Sequence, residues 1–176
     1  MLFRSKVSYI AAGSNAGELI TSIHPHLTTY AGQKFSATSS ESAATCELLF
    51  IALPHGESAK LINQLPTSVK VVDLGADFRL KSVESWEKYY GGTHAGTWTY
   101  GIADISQQQE KIAQSSRVAN PGCYATSIIL AIAPALPNID ANDITVVAAS
   151  GTTGAGRSAK INLIGSEVMK IGRAHV

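Results

Sequence analysis

The sequence predicts an α/β fold built on a parallel sheet. Three observations carry this expectation. Short runs rich in apolar and β-branched residues recur along the chain, and stretches with helical apolar spacing lie between them. The runs are also nearly continuous rather than alternating, the pattern of strands covered on both faces. The chain has 176 residues, 45% apolar and 15% charged. That apolar share is enough to bury a core and excludes wholesale disorder. The low charge points to apolar surface that meets another domain or subunit.

Taken in order, residues 6–11 read as a first strand, followed by the turn-like Gly13-Ser14-Asn15-Ala16-Gly17. Residues 47–53 (E-L-L-F-I-A-L) form an apolar run ending at Pro54. Residues 57–65 carry Ala59, Leu61, Ile62 and Leu65 at helical spacing. Residues 69–74 (V-K-V-V-D-L) and 144–149 (I-T-V-V-A-A) read as further strands, and 85–90 and 107–113 as short surface helices. Asn120-Pro121 opens a long apolar stretch, with Asn as N-cap and Pro at the first helical position. The predicted helix runs from about 121 to 133, closed by Pro134 and Pro137, and its all-round apolar surface predicts deep burial.

Composition narrows the function classes. Net charge is +1 and the basic residues form no run, which argues against an electrostatic nucleic-acid binder. No apolar stretch reaches the ~18 residues a membrane helix needs, and residues 1–6 are too short and polar to open a secretory signal. Cys46 and Cys123 make neither a disulfide framework nor a four-ligand zinc site, so the expected setting is a reducing cytoplasm. His24 and His26 flank Pro25 without a third ligand at useful spacing, and no metal site is expected. The aromatic residues between Trp86 and Tyr100 are too irregular for a base-stacking platform.

Loops after parallel strands carry ligands, so Pro54-His55-Gly56 and Gly75-Ala76-Asp77 fall where a site is expected. Cys123 lies in the first turn of the predicted 121–133 helix. Free N–H groups and the positive dipole end there favour a thiolate, against the reading of a buried structural cysteine. Cys46 lacks such a setting and reads as structural. Arg79, after a strand, suits a clamp on carboxylate or phosphate, or else a surface ion pair. Residues 150–157 (S-G-T-T-G-A-G-R) follow a strand and offer backbone N–H groups to a phosphate or a cofactor amide, or else form a plain turn. Gly13 to Gly17 match neither G-x-G-x-x-G nor the phosphate-loop spacing and read alone as a turn. His55 and His94 fall in predicted loops.

Six strings stand in a specific order: A-L-P-H-G (52–56), D-L-G-A-D-F-R-L (73–80), W-E-K-Y-Y-G-G-T-H-A-G (86–96), Y-G-I (100–102), N-P-G-C-Y (120–124) and S-G-T-T-G-A-G-R (150–157). Over about residues 6–172 the chain resembles the N-acetyl-γ-glutamyl-phosphate reductases, the arginine-biosynthesis branch of the semialdehyde dehydrogenase superfamily. The resemblance implies an incomplete Rossmann-like NADP-binding domain over 1–123 and the start of an α+β substrate and dimerisation domain over 124–176. It implies NADP(H) as cofactor, a small acyl phosphate as substrate and a homo-oligomeric full-length enzyme. Cys123 is then the nucleophile that forms a thioester. Arg79, Asn120 and His94 face the substrate. Ser14, Asn15, Pro54, His55, Ser150, Gly151, Gly154 and Gly156 face the cofactor.

Some features depart from the family pattern. Its first strand and glycine-rich loop would precede residue 6, and its catalytic histidine falls after residue 172, so the chain alone is expected not to turn over. The end strings M-L-F-R-S and G-R-A-H-V do not fit. Ala125 stands where the family usually has Pro, and Ala103-Asp104 where it usually has Pro-Glu. Three alternatives stay open: a reductase of a protected aminoadipyl phosphate, a catalytically inactive piece, and a cysteine hydrolase with His55 or His94 as base. An aspartyl-phosphate reductase ranks lower because it lacks the A-D-F-R and P-H-G strings.

Overall fold

The computed structural model describes residues 5–54, 56–105 and 107–149. The chain divides into two compact units, Met1–Ala133 and Pro134–Val176. The first holds a four-stranded sheet of β1 (Leu48–Ile51), β2 (Lys70–Asp73), β3 (Thr99–Tyr100) and β4 (Arg117–Ala119). Every pairing is parallel and the spatial order is β1-β2-β4-β3. Parallel neighbours need a crossover, and helices supply it: α3 (Glu57–Ile62) joins β1 to β2 and α5 (Gln108–Gln114) joins β3 to β4. The other helices are α1 (Ile20–Ile23), α2 (Ser40–Ala43), α4 (Val83–Tyr89) and α6 (Cys123–Ile132). The α/β architecture is the one the sequence predicts.

Local chemistry explains several boundaries. Ser39 and Ser82 are the N-caps of α2 and α4, their hydroxyls accepting from the N–H groups of Ser42 at 3.3 Å and Ser85 at 3.1 Å. The core gathers Leu49 and Ile51 of β1, Val71 of β2 and Ala119 of β4 with Ile62, Leu65, Val69 and Phe78. Burying each large side chain contributes about 1.5–3 kcal/mol against chain entropy.

All four strands end on one row. Ile51 pairs with Asp73, Asp73 with Ala119, and Ala119 with Tyr100. The ladder runs one step further, with Leu74 N–H donating to Ile51 C=O, Asn120 N–H to Asp73 C=O and Gly101 N–H to Ala119 C=O, at 2.8, 2.8 and 2.9 Å. The loops that follow all leave from the carboxyl edge of the sheet.

The structure corrects five expectations. Residues 6–11 form no strand; the segment makes one isolated parallel bridge, Ala11 with Ser36, because no further ladder partner runs beside it among the described residues. Residues 144–149 form no strand either, since none of the described residues pairs with them, and Val147 stands 95% exposed. In β1 burial alternates: Leu49 and Ile51 point into the core while Phe50 is 70% exposed, so only one face of this edge strand is covered. The nucleophile helix starts at Cys123 with Gly122 as N-cap, two residues later than the Asn-Pro signal predicts. No residue of α6 is fully buried, despite its apolar faces, because the described residues cover it only in part. Strands β3 and β4 escaped the sequence reading because two or three residues carry no periodicity.

In the second unit the described residues contain one 3-10 turn, Leu136–Asn138. Asp140 Oδ1 then accepts from the backbone and side-chain amides of Asn142, each at 2.9 Å.

Candidate active site

The β2 and β4 loops meet through Arg79. Its Nε–H donates to Asn120 C=O and an Nη2–H to Leu74 C=O, each at 2.7 Å. The guanidinium therefore binds the chain leaving β2 to the chain leading into α6. Its Nη1 lies 3.1 Å from where a Cβ on Gly122 would stand. Asn120 is not the helix cap, because its carbonyl is held by Arg79 and its side-chain amide donates to Pro121 C=O at 3.1 Å. Cys123 follows as an exposed free thiol in the first turn of α6. Behind it Thr126 and Ser127 donate to the carbonyls of Gly122 and Cys123 at 2.9 and 3.0 Å.

Arg79, Gly122 and Cys123 line one cavity of about 790 Å³. Lys81, Lys111, Trp98, Tyr100 and Thr99 line it too, and among the described residues no carboxylate does. Among the described residues, none of its three cations is in a salt bridge. Trp98 stacks on Phe78 with ring centroids 3.8 Å apart, and the Arg117 guanidinium lies 5.7 Å from the Trp98 ring centroid. The arrangement suits a small anionic ligand beside a thiol. Sequence reasoning missed Lys81 and Lys111. The signal for Lys111 was its spacing of three from Gln108, which lines the same cavity from α5.

The other predicted residues fall elsewhere. His94 does not line this cavity; its Nε2 bonds to Leu80 C=O at 2.9 Å, and Thr97 donates to the same carbonyl at 2.8 Å. His94 thus fastens the loop after α4. Ser14 and Asn15 lie in a turn in which Glu18 N–H donates to Asn15 C=O at 3.1 Å. Pro54 is exposed after β1, at the carboxyl edge. His55, Ser150, Gly151, Gly154 and Gly156 lie outside the described residues. No group of three or more His, Cys, Asp or Glu among the described residues could hold a metal ion.

Two buried acids brace the loops from below. Asp77 caps α3 across the chain: both carboxylate oxygens accept from Gly56 N–H at 2.9 Å, and Oδ2 also accepts from Ala59 N–H at 3.1 Å. Asp73 is fully buried, with Oδ1 accepting from Gly75 N–H at 3.1 Å. Its Oδ2 and the adjacent Ser58 hydroxyl have no well-aligned partner. Burial raises the Asp73 carboxyl above its ordinary 3.8, and the Asp77 charge pushes the same way, while the Gly75 amide, Ser58 and Arg79 pull back. A raised folded-state value means stability is fullest below 3.8 and is lost as pH rises through the folded value. Asp73→Asn, which does not titrate, is therefore expected to gain on the wild type as pH rises from 3.5 to about 7. Urea midpoints at the two pH values check it, and an unchanged difference would contradict the assignment.

The two cysteines differ in setting. Cys123 is exposed, whereas Cys46 is half-buried against the core with its sulfur 4.0 Å from Ser42 C=O. Iodoacetamide is expected to label Cys123 at least about tenfold faster than Cys46 in the folded protein, read by peptide mass spectrometry.

Comparison with known proteins agrees with this architecture. Residues 2–115 match the family model described as semialdehyde dehydrogenase, NAD binding domain, and residues 123–175 the model described as semialdehyde dehydrogenase, dimerisation domain. The chain is 48% identical to an N-acetyl-gamma-glutamyl-phosphate reductase of Acidothermus cellulolyticus, covering 97% of this chain and 52% of that protein. It is 48% identical to the Frankia casuarinae protein of the same name, covering 93% and 48%, and 52% identical to that of Salinispora tropica, covering 90% and 48%. The chain thus spans about half the length of these curated relatives. No helix of the described residues is long and apolar enough to cross a membrane. The matched domains, with the parallel sheet whose β2, β3 and β4 loops line the cavity beside Cys123, place this chain in the semialdehyde dehydrogenase family.

Proposed function

We propose that these residues belong to an NADPH-dependent reductase of N-acetyl-γ-glutamyl phosphate that releases phosphate and yields N-acetylglutamate semialdehyde, in arginine biosynthesis. The supporting observation is the cavity that sets the free thiol of Cys123 among Arg79, Lys81 and Lys111, with no carboxylate among its described lining residues. An acyl phosphate is anionic and electrophilic, so it needs cations to hold it and a nucleophile at its carbonyl. The Cys123 sulfur attacks the acyl carbon, a C–S bond forms, the C–O bond to phosphorus breaks and inorganic phosphate leaves. The cations offset the charge on the departing phosphate. Trp98 and Tyr100 supply the apolar wall that limits water at the thioester.

The residues present fit a dinucleotide. The loops after β1 and β2 lie at the carboxyl edge, and a Cβ at Gly13 would meet nothing within 4 Å, so the turn with Ser14 and Asn15 is open to a ribose or its phosphate. Ser14, Asn15, Pro54 and His55, with Ser150, Gly151, Gly154 and Gly156, would hold it. When bound, the nicotinamide supplies the hydride that reduces the thioester. We assign residues 1–123 to the cofactor domain and 124–176 to the beginning of the substrate and dimerisation domain, with a homo-oligomer as the assembled form. A nucleophilic thiol must stay reduced, which suits the cytoplasm.

The hydrolase alternative finds no support at His94, whose Nε2 is engaged by Leu80 C=O away from the Cys123 cavity. The test needs no cofactor. The chain is incubated with N-acetyl-γ-glutamyl phosphate, quenched in acid and digested. An N-acetylglutamyl adduct on the Cys123 peptide, with stoichiometric phosphate, is expected; an unmodified peptide would overturn the proposal.

A further inference from the structure

Gly122 has φ −73° and ψ 153°, a conformation open to any residue, so its backbone does not require glycine. What requires it is space. A Cβ there would stand 3.1 Å from Arg79 Nη1 and 3.9 Å from Arg79 Cζ. The guanidinium cannot easily withdraw, because its Nε and Nη2 are fixed on the carbonyls of Asn120 and Leu74 at 2.7 Å. Two nitrogens of one planar group thus tie two loops together, and the third faces the space a side chain would need at the residue immediately before Cys123.

We infer that Arg79 and Gly122 form one positioning device that sets the start of α6 and with it the Cys123 sulfur, with Gly122 as the slot that admits the guanidinium. Arg79 then acts first through the backbone, beyond its role as a cation of the cavity. Lysine cannot replace it, since a single ammonium on a flexible stem cannot span both carbonyls in one plane. The inference rests on the reading of Cys123 as the nucleophile.

A double-mutant cycle on the whole chain tests it, with the iodoacetamide labelling rate of Cys123 as readout and Cys46 in the same samples as the monitor of folding. Gly122→Ala and Arg79→Ala are each expected to slow Cys123 labelling about three- to tenfold while Cys46 stays slow. The double variant is expected to be no slower than the slower single one, because residues in contact are not additive. Arg79→Lys is expected to behave like Arg79→Ala, whereas a role for charge alone predicts recovery of the wild-type rate. Should Arg79→Ala unfold, Arg79→Lys, which keeps the stem and the charge, takes its place in the cycle. Multiplying effects, rescue by lysine, a neutral Gly122→Ala or global unfolding by Gly122→Ala would each overturn the inference. Labelling reports the thiol without substrate, so a failed acyl-transfer experiment sinks the functional reading and leaves the cycle readable.

Discussion

In the Cys123→Ala variant, incubation with N-acetyl-γ-glutamyl phosphate leaves the protein mass unchanged, and the one equivalent of phosphate that the wild-type chain releases falls to the protein-free background. The change is small in volume and sits on an exposed position of α6, so it removes the sulfur without emptying the core. Cys123→Ser keeps the shape and is expected to fail nearly as completely, because a hydroxyl is a poor nucleophile without an adjacent base and His94 is held elsewhere. Mass spectrometry of the quenched protein, beside a phosphate assay, separates the outcomes. Wild-type release by either variant would mean that Cys123 is not the acyl acceptor.

Asp77→Ala is expected to lower folding stability by about 2–4 kcal/mol. The side chain is 1% exposed and receives two backbone N–H groups at the start of α3. Alanine leaves Gly56 and Ala59 without that acceptor, and each stranded donor costs about 1–3 kcal/mol where water does not reach it. Gly56 reduces the loss at its own amide because it is itself exposed. Asp77→Asn retains one acceptor oxygen without the charge-assisted bonds and is expected to lose roughly half as much. Urea unfolding checks both, with midpoints shifted and slopes unchanged. An unaltered midpoint for the alanine variant would show that the cap contributes nothing net.

How much of this was legible in the sequence depends on range. Residues 69–74 read as a strand because the V-K-V-V-D-L run is β-branched and apolar, and Lys70–Asp73 is indeed β2. The loops after β1 and β2 were legible as site positions because parallel sheets put ligands at strand carboxyl ends, and Cys123 was legible from the helix start signalled by Asn120-Pro121. Asp77 was not legible as a cap. The residue it serves, Gly56, is 21 positions away, and cap signals are read over three or four. The start of α6 was misread for the same reason. Asn-Pro is a sound local signal, but Arg79, 41 residues upstream, holds the Asn120 carbonyl and delays the first turn. The cationic lining was hidden because Lys81 and Lys111 come together only when β3 and β4 bring α5 beside the β2 loop.

The shared terminal row of Ile51, Asp73, Ala119 and Tyr100 makes the four loops indexed to one another. Adding one residue inside β2 would carry the Gly75 to Arg79 segment outward by about 3.3 Å and turn its side chains to the opposite face. Arg79 would then miss both of its carbonyls at once. Insertions at the amino ends of the strands leave that alignment alone, since the connections there absorb extra length. Chain length can therefore change at the rim away from Cys123 without disturbing the site, whereas one residue added between Asp73 and Arg79 uncouples the β2 loop from the β4 loop.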